Sequence, residues 1–191
     1  MRRELNKART REALASAALE LFVAKGFEET TADEVAAAAG VSRRTFFRYF
    51  PTKEAAFFAS QEARLEGFRA HLADPAWGER GFERLRGALL VMADLYTRER
   101  PLIAAQQRVI ESSRSLQAYE LQLDRRWEEA VFEVLLPEGA DRAARRRAQV
   151  TSGAVVGAVR SALRAWFEEG EGEDLRGFGE EVLGWLEALA P

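Results

Sequence analysis

Cysteine is absent from the 191-residue sequence and histidine occurs once, as His71. Disulfides and thiolate chemistry are thereby excluded, and so is any metal site that needs two imidazoles. No run approaches the roughly eighteen apolar residues of a membrane span. The basic start, MRRELNKART, leads into an amphipathic segment rather than the apolar core of a signal peptide. The expectation is a cytoplasmic protein with no membrane partner. Strand-like alternation is missing too, as is a Gly-rich loop able to cradle a phosphate; GEGED, at 170–174, reads as an acidic turn. The carboxylate pairs Glu128-Glu129, Glu168-Glu169 and Glu180-Glu181 are sequence neighbours, so the members of each pair point to different sides of a helix and do not converge. No catalytic residue, metal or cofactor is expected, and the chain does not read as an enzyme.

What is present is apolar mass and an uneven charge. Hydrophobic residues make up 47% of the chain, enough for a real core, and the formal net charge is −3. Residues 1–53 hold ten Lys/Arg against seven Asp/Glu, a balance of +3, whereas the rest holds eighteen against twenty-four, a balance of −6. Apolar residues recur at three- and four-residue spacing throughout. From Arg9 to Lys25 the stripe is Leu14, Ala17, Ala18, Leu21 and Phe22, closed by Gly26. Thr31 with Glu34 predicts a capping box for a short second helix, Ser42 caps a third that Pro51 stops, and Thr52 caps a fourth running through Leu72. Asp141 caps another farther on. The class is all-α, about nine helices, with a small N-terminal three-helix unit on a larger bundle.

The stretch GVSRRTFFRYFPTK, residues 40–53, places four cations and four aromatics in fourteen residues without an acid. On a helix, Phe46 and Phe50 share one face and point inward, Arg43 and Phe47 share another, and Arg44 and Arg48 a third. Two short capped helices joined by Ala-Gly-Val-Ser, with a longer one before them, form the layout of a helix-turn-helix, whose second helix enters the DNA major groove. The run TTADEVAAAAGVSRRTFFRYFPTKEAAF, 30–57, with Leu21-Phe22-Lys25-Gly26-Phe27 before it, resembles the DNA-binding signature of the TetR family of bacterial transcriptional regulators. That resemblance implies phosphate contacts from Thr31, Thr45, Phe47, Tyr49 and Lys53, with Ser42, Arg43 and Arg44 at the front of the recognition helix where base edges are read. Arg9 and Arg11, leading into the first helix, are expected to track phosphates or reach the minor groove. Two positions depart from the family pattern. Phe47 stands where tyrosine is common, and Arg44 where a small residue often is.

The resemblance covers the rest of the chain by architecture alone, implying a DNA-binding domain at 1–53 and an effector-binding and dimerisation domain at 54–191. TSGAVVGAVRSALRAWF is apolar on more than one face, and with the closing helix it is expected to supply a homodimer interface through Val155, Val159, Ala162, Leu163, Trp166, Val182, Trp185 and Leu186. Tyr96, Gln106, Gln107, Tyr119 and Trp127 are the candidate lining of an effector pocket. A lipid-like compound, an acyl thioester and an aromatic drug are equally consistent with it. The resulting expectation is a ligand-responsive repressor that binds a palindromic double-stranded DNA operator as a homodimer. The competing reading is a helical protein-interaction module whose basic, aromatic surface meets an acidic protein.

Overall fold

The structure is a computed structural model that describes residues 2–77, 81–169 and 174–189; residues 170–173 of the expected acidic turn lie outside them. Among the described residues the chain is all-α, with ten α-helices and a single 3-10 turn at Pro75–Trp77. They run α1 Arg2–Lys25, α2 Ala32–Ala38, α3 Arg43–Tyr49, α4 Lys53–Phe57, α5 Ala59–Ala73, α6 Phe82–Arg98, α7 Arg100–Ser112, α8 Arg114–Leu135, α9 Arg142–Glu169 and α10 Leu175–Leu189. The first helix begins at Arg2 and not near Arg9, so Arg9 and Arg11 lie within it instead of leading into it. The tenth helix arises because the segment expected to run unbroken from Lys53 to Leu72 is interrupted at Phe58 (φ −80°, ψ 2°). Phe57 and Phe58 are both sealed from solvent, their rings edge-on at 5.1 Å. A regular helix turns neighbouring side chains about 100° apart; the local tightening accompanies burial of both.

The chain forms two compact units. One comprises Met1–Arg64 with Leu102–Leu121, the other Leu65–Pro101 with Gln122–Pro191. Helices α5, α7 and α8 contribute residues to both. In the first unit, Leu14, Ala18 and Phe22 of α1 meet Phe27, Val35, Phe46, Phe50, Phe57 and Phe58 in a core rich in phenylalanine. Phe22 packs edge-on to Phe27 at 5.0 Å and tilted to Phe57 at 5.7 Å. Each buried ring contributes about 1.5–3 kcal/mol, which is what holds helices of seven residues that would not persist alone. The second unit is built on Leu65, Phe68, Leu85, Leu123, Val131, Val155, Trp166 and Leu183, with α10 packed on α6 and α9.

Candidate nucleic-acid interface

Three successive caps set the geometry of the basic island. Thr31 accepts the Glu34 amide (3.3 Å) while its own amide and hydroxyl each donate to Glu34 Oε2 at 2.8 Å. This is the capping box expected from the sequence. Lys25, in the last turn of α1, donates to the same carboxylate. These hydrogen bonds, the Lys25 one first, lower the Glu34 pKa from 4.5 to about 2. At the far end of α2, Gly40 adopts φ +67°. Val41 N–H reaches Ala36 O (2.9 Å) and Gly40 N–H reaches Ala37 O (3.0 Å), the paired bonds of a Schellman end. The chain reverses there, and Ser42 then accepts the Thr45 amide to start α3. Thr52 accepts the Ala55 amide to start α4.

This scaffold divides the island by face. Phe46 and Phe50 are buried, as the i, i+4 spacing requires, and Phe47 stays 43% exposed with its ring edge-on to Phe46 at 5.2 Å. Ser42, Arg43 and Arg44 are exposed at the front of α3. Arg43 pairs with Asp33 of α2 at 2.5 Å, and its guanidinium lies 5.3 Å from the Phe47 ring. Arg44 makes no hydrogen bond or ion pair among the described residues. The Thr45 and Ser42 hydroxyls are 3.0 Å apart. Tyr49 is half-buried, with the Arg48 guanidinium 5.3 Å from its ring. Arg48 was not among the candidates, although its i+4 spacing from Arg44 puts both on one exposed side.

Two further cations are engaged within the unit. Lys53 Nζ reaches the carbonyls of Phe27 (2.7 Å), Thr30 (3.2 Å) and Glu28 (3.4 Å) and lies 4.1 Å from the Phe27 ring centroid. An ammonium has three N–H donors, and three carbonyls surround this one. The Arg11 guanidinium lies 4.6 Å from the Phe50 ring centroid and 3.4 Å from Glu62 Oε2 of α5. Arg9 remains exposed. The Tyr119 hydroxyl donates to the other Glu62 oxygen at 3.3 Å while its ring stacks on Phe58 at 4.7 Å. Ser113, at the α7–α8 joint, donates to Glu28 at 2.8 Å.

The five candidate effector residues fall in different units. Gln106, Gln107 and Tyr119 belong to the first, Tyr96 and Trp127 to the second. Gln106 is buried, accepting from Arg64 (2.9 Å) and donating to Ser60 (2.8 Å). Gln107 lies 3.5 Å from Glu111, and Trp127 packs on Phe68 at 5.0 Å. In the second unit Leu89, Met92 and Tyr96 of α6, and Val159 and Leu163 of α9, are only half-buried, while Leu85 and Ala88 beside them are sealed. Asp124 pairs with Arg160 there. Burial pushes its carboxyl above the usual range, and the arginine offsets this in part.

The candidate interface residues also separate. Val155, Trp166 and Val182 are buried within their own chain, and the Arg100 guanidinium covers the Trp166 ring at 4.3 Å. Val159, Ala162, Leu163 and Leu186 are half-buried, and Trp185 is 60% exposed. The outward face of α9 carries Val150, Ala154, Gly157 and Ser161 instead.

Residues 14–59 match the family described as bacterial regulatory proteins, tetR family, and residues 81–191, more than half of the chain, match the MftR C-terminal domain. The solved structure of Thermus thermophilus FadR, a TetR-family transcriptional repressor in complex with lauroyl-CoA, is 32% identical, covers 93% of each chain and superposes with a TM-score of 0.63. The chain belongs to the TetR family. Two further transcriptional regulators match at lower identity or over a shorter stretch. A Mycobacterium tuberculosis protein assigned as the mycofactocin biosynthesis transcriptional regulator MftR is 28% identical over 165 residues, 82% of this chain and 79% of that one. The regulator TcmR of Streptomyces glaucescens is 42% identical over 80 residues, 42% of this chain and 35% of its own length. This TetR-family transcriptional regulator has no helix, among its described residues, long and apolar enough to cross a membrane.

Proposed function

We propose that the protein is a ligand-responsive repressor that binds a palindromic operator as a homodimer. The observation that carries the reading is the front of α3, where Arg43, Arg44 and Phe47 are exposed on a helix whose Phe46 and Phe50 are sealed. Arginine donors match guanine O6 and N7 in the major groove, and an exposed ring packs on a sugar or a thymine methyl. Thr31, Ser42, Thr45 and Tyr49 border this face and meet phosphates; Arg9 extends the contact along α1. Lys53 holds the α1–α2 loop that carries Thr31. Arg44→Ala is expected to cost about 1–3 kcal/mol at a particular base pair. Selection of bound duplexes from a random pool tests the reading: it should return a palindrome with half-sites about one helical turn apart. Recovery of no salt-dependent DNA binding would favour the protein-interaction alternative.

The effector belongs with the half-buried apolar residues of the second unit, Leu89, Met92, Tyr96, Trp127 and Leu163. A mostly apolar lining with few polar groups suits a small hydrophobic molecule. The Thermus thermophilus relative, described in complex with lauroyl-CoA, favours a fatty-acyl thioester. Release of the selected operator by lauroyl-CoA, and not by free coenzyme A, is the expected result. The MftR-type C-terminal match favours a second assignment, control of a mycofactocin biosynthesis locus, which the selected operator sequence distinguishes.

A further inference from the structure

Helix α9 presents a face that its own chain leaves uncovered. Arg146, Val150, Ala154, Gly157, Ser161 and Glu168 recur at three-, four- and seven-residue spacing, lie on one side and are all exposed, Val150 to 72%. A Cβ added at Gly157 would meet nothing within 4 Å, so no other part of the chain among the described residues uses that gap. The charges at the two ends are opposite and unspent. Arg146 and Glu168 make no hydrogen bond or ion pair among the described residues.

Their placement is symmetric. Arg146 lies eleven residues before Gly157 and Glu168 eleven after it, about three turns or 16 Å in either direction. Each is also at the wrong end of its own helix, since α9 starts at Arg142 and ends at Glu169. A cation near a helix N-terminus and an anion near the C-terminus both oppose the helix dipole. An antiparallel copy of α9 reverses both relations. It brings its negative end toward Arg146, its positive end toward Glu168, and the opposite charge to each.

We propose that two copies of α9 cross antiparallel on a two-fold axis at Gly157, held in register by Arg146 of each copy against Glu168 of the other. The proposal rests on the homodimer reading above and specifies its seam. The contact is isologous: the same helix carries both charges, and each copy supplies one member of each ion pair. That self-complementarity selects a second copy of this chain as the occupant. Val150 then falls against the aliphatic stem of the other copy's Arg164. The ion pairs also restrict the crossing angle. With axes about 8 Å apart at the glycine, a crossing near 20° leaves the helices about 10 Å apart where the charges meet, whereas one near 50° separates them by about 16 Å, beyond reach.

The test uses the full chain and exchanges the charges. Alone, Arg146→Glu opposes like charges at both ends of the seam, and so does Glu168→Arg; each should raise the dimer dissociation constant at least tenfold. Mixed together, the two variants regain both attractive pairs and should form a one-to-one heterodimer in native mass spectrometry, and Arg146→Glu/Glu168→Arg in one chain should restore the homodimer. Gly157→Leu, in a position open within the monomer, should keep the helical circular dichroism and abolish dimerisation. Single variants that dimerise like the parent, or a mixture with the statistical proportion of heterodimer, would overturn this register while leaving a homodimer intact. A parent chain that is monomeric by sedimentation would overturn the homodimer reading itself.

Discussion

Lys53→Met separates two roles that one lysine has been given. Resemblance to the family assigns the ammonium to a phosphate, whereas the geometry turns it onto the carbonyls of Phe27, Glu28 and Thr30. Methionine keeps most of the apolar stem and removes the charge. Of the three contacts the 2.7 Å bond to Phe27 O is the strong one; because the side chain is half-exposed, it is worth about 1.5 kcal/mol, the low end for a hydrogen bond to a charged group. The cation over the Phe27 ring adds about 0.5 kcal/mol at such a site. A loss of about 2 kcal/mol follows, and for a chain of this size that lowers Tm by about 4–8 °C. The companion measurement is operator affinity against salt concentration, well below Tm. A phosphate contact contributes about 0.9 to the slope of log K against log salt for each lysine, so a carbonyl-bound Lys53 predicts that the slope is unchanged. A slope flattened by about two for the proposed dimer, with Tm retained, would refute the carbonyl role and restore the phosphate contact.

At Gly40 the backbone holds φ +67° with nothing within 4 Å of an added Cβ, so Gly40→Ala should cost about 1–2 kcal/mol through backbone strain alone, read from a denaturation midpoint; an unshifted midpoint would contradict this. Glu34 titrates at about 2 rather than 4.5, so its contribution to stability is fully present above about pH 4.5 and is lost as pH falls through 2. Because Lys25 is the first cause, Lys25→Met should move the carboxyl back toward 4.5 in a carbon-detected NMR titration, and an unmoved value would refute the assignment. Gln106→Leu takes a hydrogen-bond acceptor from the buried Arg64 guanidinium and should cost about 3 kcal/mol; an effector-lining role would instead change ligand response at constant stability. Glu62→Ala breaks the link from Tyr119 to Arg11 and, if that link carries the effector signal, should leave effector-free operator affinity within about twofold and blunt release by the effector; full release by the variant would refute that role.

Local features were legible in the sequence because their causes are local. Thr31 with Glu34, Ser42 and Thr52 each meet an amide three residues on, and all three caps formed. The i, i+4 rule likewise distinguished Phe46 and Phe50 from Phe47. What escaped were partners brought together by the fold. Lys53 finds its carbonyls 23 to 26 residues away, Gln106 meets Arg64 across 42, and Ser113 meets Glu28 across 85. Periodicity says that a side chain is inward but not what it touches. On α9 it failed differently: with apolar residues on more than one face, spacing alone did not say that Val155 and Trp166 face the chain's own core while Val150 faces out.

On the ligand-responsive reading proposed above, the unit boundaries bear on how a signal would reach α3. Residues 102–121 belong to the same compact unit as the helix-turn-helix, and the chain passes between the units at 64/65, 101/102 and 121/122, each inside a helix. A flexible linker would absorb a displacement, whereas a continuous helix transmits it. Within the first unit α8 is tied through Tyr119 to Glu62, Glu62 to Arg11, and Arg11 to Phe50, the residue that closes α3. A second tie runs from Ser113 to Glu28, beside the loop that Lys53 holds. Partly exposed contacts of this kind are worth about 1 kcal/mol or less each. Coupling between effector and DNA is commonly about 1–3 kcal/mol. One tie is too weak to lock α3 in place, yet on the proposed function the loss of two or three together would match the range of such a coupling. The same weakness would keep the proposed switch reversible, as a sealed ion pair would not.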